Sequence, residues 1–295
     1  EHASLTVGLE RLLGTRGASL RLEGYARSPE DIGGLPGASG VVNTGAAVLF
    51  GEDYTDLVFR NGVRLAFEGP VAALWTLRVD VRTESQEVRE QAWTTAPLAD
   101  GQRFRPLLPV EEATLSAGRI ELERRRLPLA GGEARLTLGG EVGRIEGRTY
   151  RRLTGGLTAF RRVAGVRGVA RLELQGGWVG GGVPRQRLFL LGGRHVLPGY
   201  DYRSFAGRRF VRAGGSYTHT LLPGWVGLRA FGAVAAVGGR DARQVAPWPE
   251  RTTGGLRAGG GVGLEFVHGT VRIDVGFGER TEWIVSTSPL LWGFL

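Results

Sequence analysis

Cysteine, methionine and lysine are all missing from the 295 residues. Without cysteine there is no disulfide framework, no thiolate chemistry and no cysteine-based metal centre. Without methionine the chain is read as a processed product or as part of a longer one. Without lysine every one of the 38 basic residues is arginine, a bias expected of a GC-rich genome. A long apolar run is missing too. Spanning a bilayer by helix takes about 18 or more consecutive apolar residues, and none are present, so a transmembrane helix is excluded. The opening EHASLTVGLE has neither a charged start nor an apolar core and is not a secretory leader. A transmembrane strand stays open, because about 9–11 residues of alternating character suffice for one.

Charge of one sign is in excess, at +9. Such a balance suits nucleic acid or anionic lipid when it is gathered into blocks. Here arginine alternates with apolar residues, and the densest cluster, ERRRL at 123–127, is short. Nucleic-acid binding is therefore not expected. Glycine is plentiful, with 50 residues against the roughly 7% of an ordinary globular protein. It follows no three-residue period, which excludes collagen. In strands it marks bends, bulges and close backbone approach.

What is present is alternation. In GTVRIDVGFG (269–278), Val271, Ile273, Val275 and Phe277 share one face, while Arg272, Asp274 and Gly276 share the other. In 74–82, Trp75, Leu77, Val79 and Val81 oppose Arg78, Asp80 and Arg82. In 166–178, Val166, Ala170, Leu172, Leu174 and Trp178 oppose Arg167, Arg171, Glu173 and Gln175. Period two with one charged face is a strand signature. Fourteen such segments are expected: 3–12, 16–26, 40–50, 54–68, 71–84, 112–125, 133–146, 150–163, 166–180, 207–222, 225–238, 254–267, 269–279 and 282–294. Asn61-Gly62 could turn a hairpin inside 54–68. The constant parity of Leu57, Phe59, Val63, Leu65 and Phe67 favours one long strand instead.

The connections alternate as well. Short ones are GP (69–70), AG (164–165), PG (223–224) and HG (268–269); long ones are 85–111, 181–206 and 239–253. Tight turns on one side and large loops on the other are the pattern of an outer-membrane barrel, with 27–39 as an exception. A soluble sandwich would alternate too. However, its strands average about 5–6 residues, and it would not carry charges of both signs on most strands. The expected fold is a single all-β domain, 1–295: an antiparallel up-and-down transmembrane β-barrel.

No catalytic set emerges. The histidines are His2, His195, His219 and His268, and none has a Ser or Asp arrangement for nucleophilic chemistry. His219 shares parity with Val211, Ala213 and Tyr217 and is expected to face lipid or the interface. GGGVG (259–263) opens no helix and is no phosphate loop. Asp31, Glu52, Asp53 and Asp56 could in principle hold Ca²⁺, but solvated loop charges are the expected reading. No enzyme, cofactor or metal is expected.

One segment breaks the monotony, LFLLGGRHVLPGYDYRSFAG at 188–207. With the strands that follow, it resembles the C-terminal barrel of the BamA/TamA outer-membrane insertase superfamily, bacterial surface antigen type. That family includes two-partner secretion transporters and patatin-linked barrels. The resemblance rests on Gly192, Gly193, Val196, Leu197, Pro198, Gly199 and Tyr200, on the five strands after them, and on RIDVGFG (272–278). It covers about 170–295 well. It implies sixteen strands where fourteen are counted, so that an N-terminal hairpin lies outside these residues or the barrel is smaller.

The resemblance also implies that loop 181–206 folds into the lumen, with Gly192, Gly193 and Gly199 permitting the return and Tyr200 and Tyr202 packing the wall. The family's loop arginine pairs with an acid on the inner wall. Here Leu197-Pro198 stands at the arginine, and Ala233 stands at the acid. Arg194 or Arg203 could substitute, meeting Asp274, Glu265 or Glu173. Pro198 would stiffen the loop tip by fixing φ.

The last strand, 282–294, would form a weak lateral seam with the first. Trp283, Pro289, Trp292 and Phe294 mark that seam and the terminal assembly signal. Pro289 removes one ladder donor. The implied role is assembly, insertion or translocation of proteins in the bacterial outer membrane. Outer-membrane lipid and lipopolysaccharide, a client or partner polypeptide, and an N-terminal periplasmic domain or accessory proteins are the implied partners. A secretion pore of the two-partner or patatin type, or a minimal structural barrel, is the alternative.

Overall fold

The computed structural model describes residues 4–14, 17–32, 55–88, 95, 98, 103–108, 110–129, 131–163, 167–239, 252–267 and 269–287. Thirteen strands form one antiparallel sheet in chain order. They are β1 (Leu5–Leu13), β2 (Ala18–Asp31), β3 (Leu57–Ala72), β4 (Trp75–Val88), β5 (Ala113–Leu129), β6 (Gly132–Ile145), β7 (Arg148–Val163), β8 (Gly168–Gly181), β11 (Arg209–Leu222), β12 (Val226–Gly238), β13 (Arg257–Phe266), β14 (Val271–Phe277) and β15 (Thr281–Thr287). A separate two-stranded ribbon, β9 (Phe189–Leu191) and β10 (Phe205–Gly207), lies within the β8–β11 connection. Among the described residues no ladder joins β1 to β15.

The alternation has the sense that a bilayer demands. On β4, Val81 is 58% exposed, whereas Asp80, Arg82, Glu84 and Gln86 on the opposite face are buried. Leu138, Val142, Leu153, Leu172, Val211, Val262 and Ile273 continue the exposed apolar face around the sheet. Water-soluble sheets bury the apolar face; here it is displayed, and the charged face is enclosed. Antiparallel pairing satisfies the backbone, as any segment crossing hydrocarbon must.

The connections sort by end. At the short-turn end, β3–β4 and β11–β12 are joined by only a few residues. At the loop end lie the long connections 32–56, 89–112, 182–208 and 239–256, although β6–β7 and β14–β15 are also joined tightly there.

Three sequence expectations change. Thirteen wall strands are described against the fourteen expected. The segment expected at 40–50 lies outside the described residues, and β2 pairs directly with β3 from Asp31↔Leu57 onwards. The 32–56 connection therefore belongs to the loop end, and the exception at 27–39 disappears. The GP turn at 69–70 is also wrong. Pro70 continues β3, pairing with Thr76 ahead of a bulge at Pro70/Ala72, and the chain turns two residues later. The AG and HG turns include residues outside the described set. Asn61-Gly62 makes no hairpin, since β3 runs straight through it. Asn61 Oδ1 instead accepts the Arg27 N–H at 2.8 Å, at the β2 bulge where the ladder loses register.

The packed core sits inside the curl of the sheet, towards the loop end. Leu188, Phe189, Leu191, Leu197 and Phe205 are almost fully buried against Leu115, Ile145, Tyr150, Val179, Phe210, Ala235 and Val237. Phe189 and Phe210 meet with ring centroids 4.5 Å apart in a tilted contact.

Candidate functional site

The core exists because the 182–208 connection folds back inside the wall as a plug. The return depends on backbone that only glycine adopts freely. Gly192 and Gly193 have φ of +114° and +93°. A Cβ on Gly192 would lie 2.2 Å from the Asp201 carbonyl oxygen. Within the bend, the Leu197 N–H donates to Gly193 O at 2.9 Å, and the Gly193 N–H donates to Tyr200 O at 3.1 Å.

One flank of the plug is held by charge. Arg203, 5% exposed, donates to Asp31 Oδ2 at 2.6 Å and to Asp56 Oδ2 at 2.7 Å. Asp56 is itself buried, and its other oxygen accepts from Arg105 at 2.8 Å and from the Leu108 N–H at 2.9 Å. The guanidinium groups of Arg105 and Arg203 lie 5.1 and 4.8 Å from the centroid of the Tyr202 ring. Burial works against the Arg203 charge. Tyr202, Asp31 and Asp56 outweigh it and raise the arginine above its ordinary range. Burial likewise raises the Tyr202 hydroxyl.

At the start of the plug, Arg187 reaches Glu141 at 3.4 Å and Glu30 at 3.9 Å. Gln186 donates to Gln86 Oε1 at 2.7 Å. The segment thus touches inner faces of β2, β4 and β6.

The other flank is held by backbone. Gly199, at φ +77°, would put a Cβ 2.1 Å from Gly278 N. Its N–H donates to Glu282 Oε1 at 2.8 Å, and its carbonyl accepts from Arg280 N at 2.9 Å. The Pro198 carbonyl lies where a side chain on Gly259 would be, 2.0 Å from that hypothetical Cβ. The Tyr200 hydroxyl donates to Ala258 O at 3.2 Å. One short segment therefore touches strands from both ends of the sheet order, so the wall wraps around it.

The acids proposed to receive the loop arginine are engaged elsewhere. Asp274 is bonded by Arg229, which reaches it across Gly263. A Cβ at Gly263 would stand 2.0 Å from Asp274 Oδ1, so the glycine opens that path. Glu265 takes Arg272, its neighbour across the ladder, at 3.1 Å. Glu173 takes Arg171 and, at 2.9 Å, Arg212. Arg212 also donates to the carbonyls of Val196 at 2.8 Å and His195 at 3.3 Å, and so holds the plug by its backbone.

Arg203 is thus an anchor with different partners from those expected, and Asp31 and Asp56 are not solvated loop charges. Arg194 lies half-buried in the turn after Gly193. Leu197 is fully buried, and Ala233 is buried in the same cluster, so the plug packs there as apolar surface. Burial, together with Arg194, Arg229, Arg272 and Arg212, lowers the His195 imidazole to about 4.

The edges of the wall form the second feature. All nine residues of β1 are exposed. β15 has seven residues, and Trp283 on it is 70% exposed. Pro289, Trp292 and Phe294 lie outside the described residues. Arg105, Arg212 and Glu282 carry the site but were not identified from sequence, and Asp31 and Asp56 were read as solvated loop charges. The available signal was the Glu30-Asp31 pair at the loop end of β2 and a further acid just before β3.

No protein-family model and no curated protein matches the sequence. Solved structures do. The crystal structure of BamA from Haemophilus ducreyi lacking POTRA domains 1–3 superimposes with a TM-score of 0.62. Identity is 13%, over 97% of this chain and 62% of that one. The wall therefore has the fold of the BamA barrel, and the chain spans 62% of that structure's length. CdiB from Acinetobacter baumannii aligns over 97% of this chain and 56% of that one, at 10% identity and a TM-score of 0.36, too loose to bear on the fold.

Proposed function

We propose that the chain is a bacterial outer-membrane barrel that assists assembly or insertion of client polypeptides at the seam between β1 and β15. The exposed edges carry this reading. A strand with unpaired N–H and C=O groups templates an incoming strand, and barrels otherwise remove such edges by closure. β1 is exposed on both faces, and among the described residues neither β1 nor β15 has a ladder partner on its outer side. The apolar exterior supports a place in lipid. The likeness to BamA supports a role in that class.

A secretion pore of the two-partner or patatin type would use the lumen instead. The plug, clamped on both flanks, speaks against an open conduit. The test exploits the cysteine-free background: cysteines at Leu5 and Trp283, oxidised in membranes, with client insertion measured before and after reduction. Loss of insertion on crosslinking and recovery on reduction is expected. Quantitative crosslinking with insertion intact would overturn the reading. High single-channel conductance from the unmodified protein would favour the pore.

A further inference from the structure

We infer that residues 199–203 clasp the two edges of the wall together from inside, at the loop end only. The inference rests on the seam reading above, but its geometry is separate. Gly199 is bonded through its N–H to Glu282 on β15 and through its carbonyl to Arg280, just before β15. Asp201 pairs with Arg280 at 2.7 Å. Four residues after Gly199, Arg203 is bonded to Asp31, the last residue of β2, and to Asp56, just before β3. β2 is the immediate neighbour of β1, while β15 is at the far end of the sheet order. Four residues span at most about 14 Å fully extended. β15 and β2, the strand beside β1, are therefore tethered to one short, internally bonded stretch of chain.

The tether is one-sided. Asp31 and Arg280 both lie at the loop end of their strands. The bonds from 199–203 to Asp31, Asp56, Arg280 and Glu282 all fall at that end. The seam should therefore part first at the short-turn end, with full opening requiring release of the plug. Arg203 and Gly199 act as positioning residues for the edges.

Spin labels on paired cysteines test this by double electron–electron resonance in reconstituted full chain. One pair, Leu5 with Trp283, reports the loop end; the other, Leu13 with Val285, reports the short-turn end. The unmodified clasp should give a narrow distribution at the loop end and a broad one at the short-turn end. Arg203→Ala and Gly199→Ala attack opposite ends of the clasp. Each should broaden the loop-end distribution and lengthen its mean by several ångströms, leaving the other pair unchanged. Arg203→Lys, which keeps charge but not the two-pronged geometry, should fall between.

If Arg203→Ala gives no folded barrel, Gly199→Ala and Arg203→Lys decide the question. A loop-end distribution unchanged in both overturns the clasp. The distances are read without client. Variants that loosen the seam yet leave client insertion unaltered would sink the assembly reading and leave the clasp standing.

Discussion

The two flanks of the plug differ in how they hold it. Towards β2, β4 and β6 the contacts are ionic: Arg203 with Asp31 and Asp56, and Arg187 with Glu30 and Glu141. Towards β13–β15 the buried contacts are steric and backbone-based, with Pro198 and Gly199 pressed against Gly259, Gly276 and Gly278, and the ion pair there, Asp201 with Arg280, is exposed. The difference follows from two residues. Leu197 and Ala233 pack as apolar surface, so the C-terminal flank has no charge to offer at that point. Glycine brings backbone within hydrogen-bonding reach there, and the ionic anchor lies on the opposite flank. A charged anchor depends on partners and protonation; a glycine anchor depends on empty space. Each can be broken without touching the other.

The largest effect is expected from Arg203→Ala. Removing one member of a buried ion pair leaves uncompensated charge and costs about 3–5 kcal/mol. Arg105 still serves Asp56, so the loss should fall at the lower end, mostly through Asp31. Urea unfolding of the refolded barrel measures it. Asp31→Asn combined with Arg203→Leu, which removes both charges, should recover much of the loss.

Gly199→Ala comes next. The left-handed conformation costs a side chain about 1–2 kcal/mol, and overpacking adds about 1–3 kcal/mol. The obstacle is the backbone nitrogen of Gly278, which cannot rotate aside. Protease sensitivity confined to 192–204, with the Arg203 contacts retained, would mark release of this flank alone.

The third expectation is pH dependence. His195 titrates at about 4 in the folded chain, against an ordinary 6.5. Between these values the unfolded or released plug binds the proton and the docked one does not. Docking is therefore fully favourable above about 6.5 and weakens as pH falls towards 4. Burial is the main cause, together with the cations around the ring, Arg194, Arg229, Arg272 and Arg212. The protection of plug amides from hydrogen exchange, corrected for the intrinsic pH dependence of exchange, should fall between pH 6.5 and 4.5. His195→Phe should flatten that response while leaving the ionic flank as it was.

The same contrast explains what the sequence disclosed. Strand period and connection lengths are local, so the wall could be read residue by residue. Gly192, Gly193 and Gly199 could be read too, because the need for left-handed backbone is local. The ionic anchor could not. Asp31, Asp56, Arg105 and Arg203 lie in four separate parts of the chain, and each alone resembles an ordinary loop charge. Asp274, Glu265 and Glu173 misled for the converse reason. Parity put them correctly on the inner face, but parity cannot show that Arg229, Arg272 and Arg212 already occupy them. Pro70 misled because a proline near a strand end looks the same in sequence as a proline in a turn.

The smallest effect probes the ionic flank from within. The Tyr202 ring lies 5.1 Å from the Arg105 guanidinium and 4.8 Å from that of Arg203, the two cations that share Asp56. A cation over an aromatic face contributes about 0.5–1 kcal/mol at an accessible site and about 2 kcal/mol when desolvated. Tyr202→Phe keeps the ring beside both charges and should change stability little. Tyr202→Leu removes the ring's electrostatic attraction but keeps apolar bulk, and should cost about 1–2 kcal/mol on that scale. If the flank is ionic in the way described, the cost of Tyr202→Leu should shrink when Arg105→Gln is introduced as well, because one of the two cations is then gone. Equal costs in both backgrounds would mean that the ring contributes packing alone, and the two flanks would then differ less in kind than their contacts suggest.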